Sequence, residues 1–124
     1  MKKSLLFVVA LGASSIAMAK ELYRAPSSGD SGAYYVLRSE KLDGGQVKVL
    51  TSRIGKGSEY TDFTELKINC QSREYLVLAG GSEDGAKEKP SKALKDWSKD
   101  SKWTSLVSGS SKSDLVGHVC GKRK

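Results

Sequence analysis

The chain has 124 residues, 38% of them hydrophobic, with 21 lysines and arginines against 14 aspartates and glutamates, for a net charge of +7. That length leaves room for one ordinary domain. One histidine and two cysteines fall short of the four ligands, or the close Cys-x-x-Cys pair, on which zinc and redox dithiol sites rest.

The N-terminus opens Met1-Lys2-Lys3, continues through an uncharged run of small and apolar residues over 4–16, and closes with Ala17-Met18-Ala19. A positive start, a short apolar run and a small-x-small end predict a signal peptide over residues 1–19, cleaved before Lys20. The run is too short, and too rich in Gly and Ser, for a spanning helix of about 20 apolar residues. Lys20 is not a cysteine, so no lipid anchor is expected, and no second apolar run follows. The expected product is a periplasmic domain over 20–124, with secreted or surface-associated location as the alternative. Its remaining positive charge suits acidic partners, such as an acidic protein or a surface polymer of the lipopolysaccharide or glycosaminoglycan kind, or it serves solubility alone. Nucleic acid is not an expected partner.

In chain order, residues 21–24 read as a short strand, 25–31 as a loop, and 33–38 as a strand rich in aromatic and β-branched residues. Asp43-Gly44-Gly45 is a hairpin signal, because a tight primed turn needs positive φ, and 47–54 is the returning strand. Gly55-Lys56-Gly57 turns into 60–70, where Leu66, Ile68 and Cys70 alternate with Glu65, Lys67 and Asn69 in the period-2 pattern of a half-buried strand. Residues 74–79 follow as the next strand of an antiparallel meander with one wet face. The segment 80–102 opens with glycines and acids and continues through lysines, so a mobile loop is expected, with a short helix over 91–97 placing Leu94 and Trp97 on one side. Residues 103–107 read as a last strand. Ser111-Lys112-Ser113-Asp114 matches a capping box. Leu115 with Val119 and Val116 with Cys120 are i,i+4 pairs on a helix that Gly121 ends. The expected fold class is α+β: an antiparallel β-sheet of about five to six strands with a C-terminal helix. In an oxidising compartment the lone pair Cys70 and Cys120 is expected to form one disulfide.

Chemistry is sparse. Gly29-Asp30-Ser31-Gly32 spells a serine-protease nucleophile signature, but that chemistry is defined by triad geometry, and the same residues are ordinary loop composition. His118, four residues after Asp114, is the one candidate general base, and acid–base catalysis wants two tuned groups. No catalytic residue, no metal site and no cofactor is therefore assigned. Lys87, Lys89, Lys92 and Lys95, around Trp97, form the one basic–aromatic cluster, the pattern that meets an anionic partner with cations and a stacking ring. Glu88, Asp96 and Asp100 dilute its field. These five residues are the candidate binding site, with a solvated loop and Trp97 packed into the core as the favoured alternative for this stretch.

Taken together, Ile68-Asn69-Cys70-Gln71-Ser72-Arg73, Trp103-Thr104-Ser105-Leu106, Gly109-Ser110, Asp114-Leu115 and Val119-Cys120 resemble the pattern of the surface-adhesin protein E family, across most of residues 33–120. The resemblance implies an α+β fold with the two cysteines bridged, and a binding protein that attaches to matrix and plasma proteins and forms a homodimer. This chain lacks the lipidated cysteine of the named member, and no ligand contact carries over. The reading that follows is a non-catalytic, adhesin-like exported binding protein, recognising a protein or an acidic polymer. A periplasmic immunity or inhibitor protein is the alternative, and a small hydrolase using His118 is the third.

Overall fold

The computed structural model describes residues 16–17, 20–26 and 30–121. The expected signal segment 1–19 lies outside these residues apart from the backbone of 16–17, as does Gly29 of the protease-like tetrapeptide.

Two short strands, β1 (Ile16–Ala17) and β2 (Glu21–Arg24), precede four long ones: β3 (Ala33–Lys41), β4 (Gln46–Ile54), β5 (Tyr60–Asn69) and β6 (Glu74–Asp84). Two more short strands, β7 (Lys95–Asp96) and β8 (Thr104–Ser105), lead to the helix α1 (Ser111–Cys120). The long strands form the expected meander, each antiparallel to the next. The first two of the three hairpins turn on glycines with positive φ, Gly44 at 75° and Gly57 at 72°, where a side chain would be strained. β1 and β2 share the outer edge of β3, while β7 and β8 share the outer edge of β6. Both flanks thus end in strands of two to four residues, which leaves little edge for pairing with another chain.

Pairing fixes the two faces of the sheet. Val47 and Val49 stand beside Ile68 and Leu66, which stand beside Tyr75 and Val77. Leu115 and Val116 of α1 close over this face, completing a core with Val36, Val49, Leu66 and Ile68. The Cys70–Cys120 disulfide joins the residue just after β5 to the last residue of α1, with Cα atoms 5.5 Å apart. The fold is α+β.

Three local expectations are revised. β6 does not stop at residue 79 but runs through the glycines to Asp84, because Thr64, Phe63 and Asp62 of β5 pair with Gly80, Gly81 and Ser82. Residues 91–97 form no helix; Lys95 and Asp96 pair with Gly80 and Ala79 instead. The Asp96 carboxylate accepts from the backbone N–H and the hydroxyl of Ser98, a local bond that competes with helix formation. The helix cap sits one residue early, at Ser110, whose hydroxyl oxygen accepts from the Ser113 N–H at 3.2 Å.

Candidate functional site: a groove between the sheet and a strap

The face away from α1 is not wet throughout. Leu50 and Phe63 have the opposite parity to Val49 and Leu66, yet both are buried. Residues 85–94 cross this face as a strap, and between strap and sheet lies a groove of about 670 Å³. That is within the range of small-ligand sites, roughly 300–1,000 Å³. Its floor is Leu37, Leu50 and Ala79 with Arg38 and Glu65, and the strap supplies Lys89, Pro90, Lys92, Ala93 and Leu94. Leu37 is the extra residue at an irregularity between Val36 and Arg38, and such bulges re-aim side chains.

The strap is tethered at several points. The buried Thr61 hydroxyl donates to the Gly85 carbonyl at 2.7 Å and accepts from the Lys87 N–H at 2.9 Å. The Glu83 carboxylate accepts from both the N–H and the hydroxyl of Ser91, and these bonds hold its carboxyl below the usual range. Beyond the strap, the Trp97 N–H donates to the Leu78 carbonyl at 2.9 Å. The Trp97 ring lies directly over Gly80, where a Cβ would collide with it, and Leu94 lies against Gly81. The segment expected as a loop is therefore tied to the sheet along its length. The missing side chain of Gly80 is what lets Trp97 lie on β6.

Charge is arranged unevenly around the groove. Glu65 on the floor is met by Arg38 at 3.5 Å and Lys48 at 3.9 Å. Glu88 on the strap is met by Lys20 at 3.2 Å, and Lys20 also stands over the Tyr35 ring. Lys89 and Lys92 have no salt-bridge partner among the described residues, although Lys92 lies in the field of Glu83. The rim therefore carries unneutralised positive charge above an apolar floor.

Of the residues singled out from sequence, Lys89 and Lys92 wall this groove. Lys87 and Lys92 border a second depression beside Tyr60, Ser82 and Asp84. Lys95 sits apart on the edge strand β7, exposed. Trp97 packs on Gly80 but remains 40% exposed, so it belongs neither to the core nor to the groove wall. The sequence reading missed Arg38, Leu37, Leu50 and Thr61. The one signal for them was the apolar pair Leu50 and Phe63 at the wrong parity for a wet face.

The remaining candidates are distributed elsewhere. Asp114 does not serve His118: it bonds Arg24 at 2.8 Å, while His118 Nε2 meets Glu21 Oε1 at 2.9 Å. Asp30 accepts from the Gly32 N–H and the Tyr34 hydroxyl, which makes residues 30–32 of the protease-like tetrapeptide a local turn. Among the described residues no group of three or more His, Cys, Asp or Glu side chains could hold a metal ion, and no helix is long and apolar enough to cross a membrane. The chain matches no family model, no curated protein and no solved structure.

Proposed function

We propose that the chain is an exported, non-catalytic binding protein of the bacterial envelope or surface, adhesin-like, whose binding surface is the strap and the sheet beneath it. The observation that carries this reading is the tethered strap, which holds a groove open with apolar walls and cationic residues at its rim. A preformed concave surface with few, placed charges is what a binding site needs, and function tends to sit on loops held by a rigid scaffold. The bridged Cys70 and Cys120 are compatible with the protein E resemblance and with an oxidising compartment, and they support the exported reading. The partner is a protein or an acidic surface polymer.

The test is capture from envelope and host extracts by the protein over residues 20–124, compared with a variant carrying Lys87→Ser, Lys89→Ser, Lys92→Ser and Lys95→Ser. The partner's affinity should fall in the variant, mainly through a slower association rate, and the wild type should weaken with added salt. Equal affinity of the two proteins at low and high salt would place the binding surface elsewhere.

A further inference from the structure

The geometry points to a single-chain anionic lipid as the groove's occupant, its hydrocarbon tail lying on Leu37, Leu50, Ala79 and Leu94 and its charged head at Lys89 and Lys92. This rests on the reading of the strap as a binding surface and goes beyond it, giving the groove beneath the strap a small ligand in addition to the protein or polymer partner. Three observations lead there. First, the floor runs across four adjacent strands, from Leu37 on β3 through Leu50 on β4 and Glu65 on β5 to Ala79 on β6. Three inter-strand spacings make a strip of roughly 14 Å, the reach of a medium-length hydrocarbon chain rather than of one side chain.

Second, the strip is apolar at both ends, and its one carboxylate, Glu65, is neutralised by Arg38 and Lys48. A tail can therefore cross it without meeting an unpaired charge. Third, Lys20 and Arg38 at the groove are paired with carboxylates, and the positive charge without a salt-bridge partner among the described residues lies on one wall. Glu88 is engaged by Lys20, whereas Lys89 and Lys92 stand on either side of Pro90 and Ser91 with no salt-bridge partner among the described residues. A phosphate polymer would leave the apolar floor empty, and a neutral or cationic amphiphile would leave these two lysines unmatched. An anionic head joined to one apolar tail satisfies both.

The probe is dodecanoate, kept below its micelle concentration and titrated into the protein over residues 20–124, with binding followed by methyl and amide NMR shifts. Saturable shifts at Leu37, Leu50 and Leu94 are expected. Decanoate, two methylenes shorter, should bind roughly tenfold more weakly, as the burial energy of a methylene requires. Dodecyltrimethylammonium should bind at least about tenfold more weakly than dodecanoate, since like charges now meet at the strap. Ala93→Trp, which fills the groove from an exposed strap position, and Lys89→Glu with Lys92→Glu should each weaken dodecanoate at least about tenfold. All these positions are exposed, so an unchanged thermal transition is expected of each variant. Absence of saturable shifts, equal binding of the cationic amphiphile, or indifference to Ala93→Trp would overturn the inference. If capture of an envelope partner still depends on the four lysines while dodecanoate fails to bind, the binding reading survives and the lipid inference alone is lost.

Discussion

Arg24, near the start of the described chain, reaches α1 near its end. Its guanidinium is buried, donating to the Asp114 carboxylate at 2.8 Å and to the Gly109 carbonyl at 3.1 Å, while its Nε is buried without a partner. A buried cation with one carboxylate is costly to break but contributes little net against an apolar replacement. Asp114→Ala should therefore destabilise by about 2 kcal/mol, discounted from a fully buried pair because Asp114 is 40% exposed. Arg24→Met added to Asp114→Ala should recover most of that loss, as read by urea unfolding of the single and double variants. Glu83 gives a second residue-scale prediction. Hydrogen bonds from the Ser91 hydroxyl and then its N–H, together with nearby Lys87 and Lys92, hold its carboxyl below the ordinary 4.5. A depressed carboxyl contributes stability that is complete above the ordinary value and lost as pH falls through the depressed one. The Ser91 amide should therefore lose its protection from exchange only below about pH 4.5, and Glu83→Gln should abolish that pH dependence.

At the scale of elements, the strand β6 carries the most specific constraint. Gly80→Ala would drive a Cβ into the Trp97 ring, and overpacking of this kind costs about 1–3 kcal/mol. Combining it with Trp97→Ala should relieve the clash, so the double variant should be more stable than the sum of the singles predicts; denaturant unfolding of all four proteins measures this. The same strand shows what was and was not legible in the sequence. The hairpins at Gly44 and Gly57, the alternation from Glu65 to Cys70 and the helix over Leu115 and Val116 follow from local rules that act within a few residues. The second half of β6 does not: Gly-Gly-Ser-Glu-Asp has no strand propensity of its own, and it is held extended by pairing with β5 and by the side chains of Leu94 on Gly81 and Trp97 on Gly80, far along the chain. The groove was legible only as its lysines. Its floor depends on a bulge at Leu37 and on which strands lie side by side, neither of which a pattern of residues states.

For the whole molecule, α1 is held against the sheet by the Cys70–Cys120 bridge, the Arg24–Asp114 pair, the His118–Glu21 contact and the Arg73 guanidinium on the Gly121 carbonyl. The bridge spans a sequence separation of 50, for which the chain-entropy account gives about 4 kcal/mol at most. Cys70→Ala with Cys120→Ala should accordingly cost about 2–4 kcal/mol in urea unfolding, without changing where the strap lies, since the strap's tethers are on β5 and β6. With its tethers independent of the bridge, the strap over residues 85–97 is expected to be a fixed wall of the groove and not a mobile loop. Residue-resolved amide hydrogen exchange tests it most directly. The amide of Gly85, which donates to the Glu59 carbonyl at 2.8 Å, and those of Lys87, Ser91 and Trp97 should be protected, while Glu88 and Lys89 between the tethers exchange rapidly. Uniform rapid exchange from residue 85 to residue 97 would contradict it.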